Sequence, residues 1–357
     1  MKSKDKYRGC LIGGAAGDAL GYAVEFADET SIFEEYGENG ITEFELVDGL
    51  AEISDDTQMT LFTANGLVYA QATCLISGQK TPEYLKWVRY AYLEWYKTQT
   101  ESFPLTEGEH LMWLTNQPEL FSRRAPGRTC LTAIKDGANG KIGNPINDSK
   151  GCGGAMRAAP VGLCLDTNTK THRLFFTTLG AEIAALTHGH ELGYIPAAAF
   201  VHIIQRLAHN DDVTIEDAVN DMMETIKQLF TNAKDLGYFL DLMNKAIEFS
   251  EDEMDDLEAI RQLGEGWVAE ETLAIAIYCV LKYPDDFEKA LVASVNHGGD
   301  SDSTGAFTGN IMGAYLGLDK IPQKYVDNLE LKDVIIELAD DLFNAAWLSE
   351  GDTEVRG

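Results

Sequence analysis

Glycine recurs at every fourth position in two separate stretches of this 357-residue chain, at Gly9, Gly13, Gly17 and Gly21 and again at Gly305, Gly309, Gly313 and Gly317. Residues four apart share one face of an α-helix, so each set forms a smooth stripe. A glycine inside a helix costs about 1 kcal/mol against alanine. Four in one helix need an offsetting gain, and close approach of another helix supplies it. We expect the two stripes to lie near each other. That packing carries Asp18 and Glu25 towards the acidic run Asp300-Ser301-Asp302-Ser303 beside the second stripe.

Helical periodicity dominates the remainder. Residues 57–70, 176–187, 194–208, 213–232, 269–282, 303–317 and 331–347 read as helices. Alternating runs are few and short, and Gly40–Leu46 is the best strand pattern among them. Hydrophobic residues make up 45% of the chain. That is enough for a sizeable core and too much for disorder. Length alone leaves the domain count open. With no internal repeat and no low-complexity linker, the reading is an all-α protein with one core and a single domain over residues 1–357. Gly, Pro, Asn, Asp and Ser crowd residues 118–160, and the motifs inside that loop-rich part mark it as functional. The stretch Glu251-Asp252-Glu253-Met254-Asp255-Asp256 reads as a solvated face or a helix start.

The formal net charge is −30. Such a surface repels nucleic-acid phosphates and anionic lipid headgroups, so neither nucleic acid nor a membrane is an expected partner. A local basic cluster, Arg123, Arg124 and Arg128, is the place to look for an anionic ligand. No continuous apolar region follows the basic N-terminus, and no stretch reaches the roughly 20 apolar residues of a membrane span. The six cysteines are scattered without a C-x-x-C pair, most of them among apolar residues. Reduced core thiols are the simplest reading, which fits a cytoplasmic protein.

Two acidic clusters carry the chemistry. Ser54-Asp55-Asp56-Thr57 precedes an amphipathic run. It reads as a helix N-terminus, with Ser54 as cap and two aspartates at the positive dipole end. It also reads as a hard-oxygen edge for a Mg²⁺- or Mn²⁺-like ion. The second cluster, Asp300 to Ser303, follows Gly298-Gly299 and holds two carboxylates close in a loop. Like charges at 4 Å repel by on the order of 4 kcal/mol at an effective dielectric near 20. If the clusters meet, four carboxylates share one site, and cations are what make that arrangement favourable.

Taken in order, further segments resemble the ADP-ribosylglycohydrolase family, which includes the ADP-ribosylarginine hydrolases and the glycohydrolase that reactivates dinitrogenase reductase. They are Gly17-Asp18-Ala19-Leu20-Gly21 with Glu25-Phe26, Ser54-Asp55-Asp56-Thr57, Ala125-Pro126-Gly127-Arg128-Thr129 and Gly151-Cys152-Gly153-Gly154-Ala155-Met156-Arg157. Thr187-His188-Gly189-His190, Gly266-Trp267-Val268-Ala269-Glu270-Glu271 and His297-Gly298-Gly299-Asp300-Ser301-Asp302-Ser303 complete the set. The resemblance implies an all-α, single-domain compact orthogonal helix bundle. It implies two divalent metal ions, Mg²⁺ or Mn²⁺, on Ser54, Asp55, Asp56, Asp300, Asp302 and Ser303. Glu25, Asp56 and Asp55 become the expected catalytic carboxylates. Gly151, Cys152, Gly153, Gly154, Met156, Arg157, His188 and Arg128 become the expected substrate contacts, with the glycine loop around the diphosphate. Arg157 reads equally as a loop support. His188 and His190 read as ligand contacts or structural histidines, and Tyr194 or Tyr325 as an adenine platform or core.

The implied reaction is hydrolysis of the bond between ADP-ribose and a protein side chain, arginine before serine. O-acetyl-ADP-ribose hydrolysis, a non-catalytic ADP-ribose-binding role and phosphoester hydrolysis are the alternatives. The expected partner is an ADP-ribosylated protein or a small ADP-ribose conjugate, and the expected state is a monomer. Ala23, Cys152, Gly153 and Tyr325 depart from the family pattern, which bears on substrate preference rather than reaction class.

Overall fold

The computed structural model describes residues 3–106, 108, 110–164 and 168–354. Along them run fifteen α-helices, beginning with α1 (Lys4–Tyr22), α2 (Glu29–Tyr36), α3 (Asp55–Ser77), α4 (Tyr84–Thr100) and α5 (Arg128–Lys135). Next are α6 (Ala159–Leu163), α7 (Lys170–Ala185), α8 (Glu191–Ala208), α9 (Ile215–Leu229) and α10 (Leu236–Glu251). The last five are α11 (Asp256–Leu263), α12 (Ala269–Lys282), α13 (Phe287–Val295), α14 (Ser301–Leu316) and α15 (Lys332–Glu354). They pack as a single compact all-helical domain.

The glycine stripes set the centre of that domain. α1 and α14 run antiparallel with their backbones in contact. A Cβ added at Gly13 would sit 2.3 Å from the Gly309 carbonyl oxygen, and one at Gly17 would sit 1.9 Å from that of Gly305. Gly9 faces Gly313 in the same way, and Gly21 faces Ser301. Gly317 departs from the expectation. It ends α14 at φ 82° rather than lying on its face. Such close approach is possible because the facing glycines carry no Cβ, and it leaves both helices buried on every side, from Gly9 to Gly21 and from Ser301 to Ala314. α8 lies beside them, with Phe200 stacked on Phe307 at 4.1 Å between ring centroids. Outer helices are amphipathic instead; α9 buries Ile215, Ala218, Val219, Met222 and Ile226 on one face.

Local chemistry fixes the helix starts. Ser54 caps α3 through the Asp56 amide, and Thr214 with Asp217 forms a reciprocal capping box on α9. Asp255 caps α11 through the amides of Leu257 and Glu258, so the acidic stretch there is a helix start. α4 escapes the sequence reading, although its buried Val88, Ala91, Tyr92 and Trp95 keep helical spacing.

The strand expected at Gly40–Leu46 does not form, and the described residues hold only isolated bridges. Side chains take the place of a neighbouring strand. Asn296 accepts from the Ile41 amide at 2.7 Å and donates to its carbonyl at 3.0 Å, and the Tyr325 hydroxyl donates to the Thr42 carbonyl at 2.8 Å. Residues 118–160 include α5 and the start of α6, with extended loop between. One helix, Asp55–Ser77, is long and apolar enough to cross a membrane by composition, and 67% of that window is buried in the domain.

Candidate active site

Antiparallel packing puts the C-terminal end of α1 beside the N-terminal end of α14. Asp18, fully buried on α1, then reaches the first turn of α3. Its carboxylate accepts from the Ser54 amide at 3.1 Å and the Thr57 amide at 3.0 Å. Asp18 thereby anchors the helix start that presents Asp55 and Asp56, so the first reading of that cluster holds: it is a helix start. Ser303 Oγ donates to Asp56 Oδ1 at 2.8 Å, so the two clusters touch. Asp55 Oδ2 accepts from the Gly127 amide at 3.2 Å. Asp302 Oδ1 accepts from the Ser303 amide at 2.8 Å. Asp300 Oδ2 accepts from the Cys152 thiol at 2.8 Å.

Glu25 closes the group. A tight turn after α1, with Val24 bonded back to Gly21 and Ala27 to Val24 at 2.9 Å each, aims its side chain inward. One carboxylate oxygen from each of Glu25, Asp300 and Asp302 lies within 4.8 Å of the others. Glu25 Oε2 is buried with no hydrogen-bond partner among the described residues. Burial, reinforced by the Asp302 charge, pushes Asp18 up to about 7 and Glu25 up to about 9. The same two causes hold Asp55, Asp56 and Asp300 well above the ordinary carboxylate range. Ser54 Oγ, Asp55, Asp56, Asp300, Asp302 and Ser303 Oγ are hard oxygen donors, and an orphaned buried oxygen stands among them. Divalent cations of the Mg²⁺ or Mn²⁺ kind fit such a set.

The glycine loop borders this carboxylate group. The Cys152 amide donates to the Trp267 carbonyl at 3.2 Å, and the Ala269 amide to the Lys150 carbonyl at 3.0 Å, which ties the loop to the start of α12. A Lys150–Glu270 ion pair reinforces that seam. Underneath lies His188, 1% exposed, with Nδ1 at 2.8 Å from Thr187 Oγ1. A Cβ at Gly154 would come within 3.0 Å of that ring, so glycine lets the loop settle on it. Burial, then the Arg157 charge, pushes His188 down to about 3, so it is a neutral prop. Met156 and Arg157 also point inward. The Arg157 guanidinium lies 4.2 Å from the Tyr92 ring centroid and donates to Thr187 Oγ1. Of the two roles open for Arg157, this is the geometry of a loop support.

The basic cluster divides. Arg124 is buried against Glu330, with a second bond to Glu52 at 3.0 Å, so it braces the segment before α3 and has no charge left for a ligand. Arg128 is exposed at the start of α5, on the lining of a cavity of about 330 Å³ with Thr129, Asn147 and Ser149. His190 caps α8 through the Leu192 amide at 3.0 Å. Tyr325 is fully buried against Phe44 and Phe287, and Tyr194 packs on Phe230; both are core.

Sequence reasoning missed an aromatic pair at the rim. Phe26, 75% exposed, stacks on Trp267, 41% exposed, with centroids 6.4 Å apart and planes at 21°. Phe26 follows Glu25, and Trp267 adjoins both the loop and Gly266, whose α-position faces Asp300. Each residue sat inside a quoted motif, but only the fold pairs them.

Carboxylates converging beside a glycine loop, in an all-helical domain, are the equipment of a glycosidase-type hydrolase. The family model for ADP-ribosylglycohydrolase matches residues 1–351, and the chain belongs to that family. It is 25% identical to the mouse (Mus musculus) ADP-ribosylhydrolase ARH3 over 92% of this chain and 88% of the relative. It is 24% identical to the ADP-ribosyl-[dinitrogen reductase] glycohydrolase of Rhodospirillum rubrum, over 92% of this chain and 91% of that protein. The ADP-ribosylarginine hydrolase Tri1 of Serratia proteamaculans is 25% identical over 97% of this chain and 81% of its own. A solved ADP-ribosylglycohydrolase-related protein complex shares the fold, with TM-score 0.59 and 21% identity over 96% of this chain and 98% of that one.

Proposed function

We propose that the chain removes ADP-ribose from modified arginine side chains of proteins, using a pair of Mg²⁺ or Mn²⁺ ions. The observation that carries the reading is the convergence of Glu25, Asp300 and Asp302 within 4.8 Å, with Glu25 Oε2 left unpartnered. Ser54, Asp55 and Asp56 would hold the pair from one side, and Asp300, Asp302 and Ser303 from the other. When bound, the ions supply positive charge that offsets the carboxylates, favours ionised Glu25 and orients ribose hydroxyls and water.

The chain's own groups do the rest. Glu25 takes a proton from the water that attacks the anomeric carbon. The carbon–nitrogen bond breaks, its electron pair leaves with the guanidine, and Asp55 and Asp56 stabilise the cationic character of the ribose as it develops. Amides of Gly151, Gly153 and Gly154 would meet the diphosphate, on a loop that glycine lets settle onto His188. Products are free ADP-ribose and unmodified arginine.

The preference for arginine rests on the Phe26–Trp267 pair. An exposed aromatic face beside the carboxylates favours a planar, weakly hydrated cation over a serine hydroxyl. The test is release of free ADP-ribose from ADP-ribosyl-arginine, ADP-ribosyl-serine and O-acetyl-ADP-ribose, each with Mg²⁺, Mn²⁺ or chelator. Fastest release from arginine, abolished by chelator, supports the proposal. Full activity in chelator sinks the metal requirement, and faster release from serine sinks the linkage preference.

A further inference from the structure

The turn after Arg124 supplies two of the contacts that place Asp55. The Asp55 amide donates to the Arg124 carbonyl at 3.2 Å, and the Gly127 amide donates to Asp55 Oδ2 at 3.2 Å. Between those two contacts Ala125 sits at φ 49°, in the left-handed region that favours glycine, with Pro126 next in the chain. A non-glycine residue stays there only where its surroundings hold it. The near end of the turn is held by Arg124, 9% exposed, whose guanidinium forks onto both oxygens of Glu330, 4% exposed. Arg124 Nη2 donates to Glu330 Oε1 at 2.9 Å, and Nη1 donates to Oε2. The same pair grips the backbone just before α3. Arg124 Nη1 donates to the Ile53 carbonyl at 3.1 Å, and Glu330 Oε2 accepts from the Ile53 amide at 3.3 Å. The Glu330 amide donates to the Ala51 carbonyl at 3.1 Å, and the Ala51 amide to the Asn328 carbonyl at 2.8 Å.

We propose that Glu330 is a positioning residue for the metal edge on α3. Acting through Arg124, it fixes the backbone from Ile53 to Asp55 and the turn that carries the Gly127 amide, and so fixes where the Asp55 carboxylate stands. It touches no reacting atom. Planar two-point pairing restrains orientation as well as distance, which a single ammonium contact does not. A buried ion pair adds little net stability over apolar residues of similar volume, so the effect of this one falls on geometry. That Asp55 holds a metal ion rests on the two-ion reading above; its placement by Glu330 does not.

The full-length, metal-free protein is compared with Glu330→Gln, with Arg124→Lys, and with a double variant that joins Arg124→Met to Glu330→Met. Removing one partner strands the other charge, whereas replacing both is gentler on folding, so the double variant and the charge-conserving Arg124→Lys guard against simple unfolding. Circular dichroism verifies the fold. Amide hydrogen exchange at Asp55 and Gly127 is expected to quicken at least about tenfold in each folded variant, while amides inside α14 keep their wild-type rates. Mn²⁺ binding, followed by electron paramagnetic resonance, is expected to weaken at least about tenfold for one ion or both. Wild-type exchange at Asp55 in a folded double variant overturns the placement. Quickened exchange with wild-type Mn²⁺ affinity overturns the positioning role. A wild type that never binds Mn²⁺, yet shows exchange at Asp55 that depends on Glu330, keeps the placement and removes the two-ion reading.

Discussion

A buried carboxylate that lacks a partner is held there by the rest of the structure, and Glu25 is such a group. Its turn is held by backbone bonds from Val24 to Gly21 and from Ala27 to Val24. Replacing Glu25 with Gln keeps the shape and removes the proposed base. We expect ADP-ribose release to fall by about 10²–10⁴-fold while ADP-ribose binding, read by calorimetry, changes little. A variant with wild-type turnover would assign the base elsewhere. The protonation of these groups also sets a pH dependence. Glu25 rises from 4.5 to about 9 and Asp18 from 3.8 to about 7. A folded-state value above the unfolded one contributes stability that is complete below the unfolded value and is lost as pH rises through the folded one. The metal-free protein should therefore lose thermal stability as pH rises from about 4 to about 9, and the gain in melting temperature on adding Mg²⁺ should grow over that interval. A gain that is flat or shrinks with pH contradicts this. At the rim, Trp267→Ala should cut kcat/KM on ADP-ribosyl-arginine by about 5- to 30-fold, as expected for a partly desolvated cation–π contact, and should cut it less on ADP-ribosyl-serine. Equal losses on both would make Trp267 a support for the loop.

Elements explain which parts of the site could be read in the chain. The acidic clusters were visible because a site built on helix starts shows contiguous residues: Ser54 to Asp56 and Asp300 to Ser303 each sit within one turn of α3 and α14. The glycine stripes were visible for the same reason, since helical contact repeats every fourth residue. Arg124 was misread because its partner Glu330 is 206 residues away, and nothing local marks that pair. The strand at Gly40–Leu46 was misread because period-two patterning cannot tell a paired strand from an extended segment held by Asn296 and Tyr325. Close helix contact also makes a firm prediction. In Gly309→Ala the new Cβ meets the Gly13 carbonyl oxygen at 1.9 Å, and backbone cannot move aside as a side chain can. Stability in a denaturant titration should fall by about 1–3 kcal/mol, and activity should fall with it because α1 and α14 separate at the site. An alanine variant of unchanged stability would mean the helices do not touch there.

For the whole molecule, one packing event accounts for the site. α1 against α14 brings Asp18 beneath α3, Glu25 beside Asp300 and Asp302, and Ser303 against Asp56. The all-helical fold was legible from apolar periodicity in outer helices such as α9 and from the glycine stripes of α1 and α14, which are buried on every side. The rim was not legible, because Phe26 and Trp267 lie 241 positions apart and meet only through that packing. The −30 net charge gives no help in drawing an anionic substrate. In the proposed reaction, recognition falls to local groups, the loop amides and the cations that the carboxylates would hold. The central claim is that the two acidic clusters jointly hold a pair of divalent ions, and Mn²⁺ binding to the metal-free protein, followed by electron paramagnetic resonance, tests it most directly. Two ions per chain, with the spectral broadening of neighbouring spins, are expected in the wild type, and at most one in folded Asp302→Ala. A single isolated ion in the wild type, or an unchanged pair in Asp302→Ala, would contradict it.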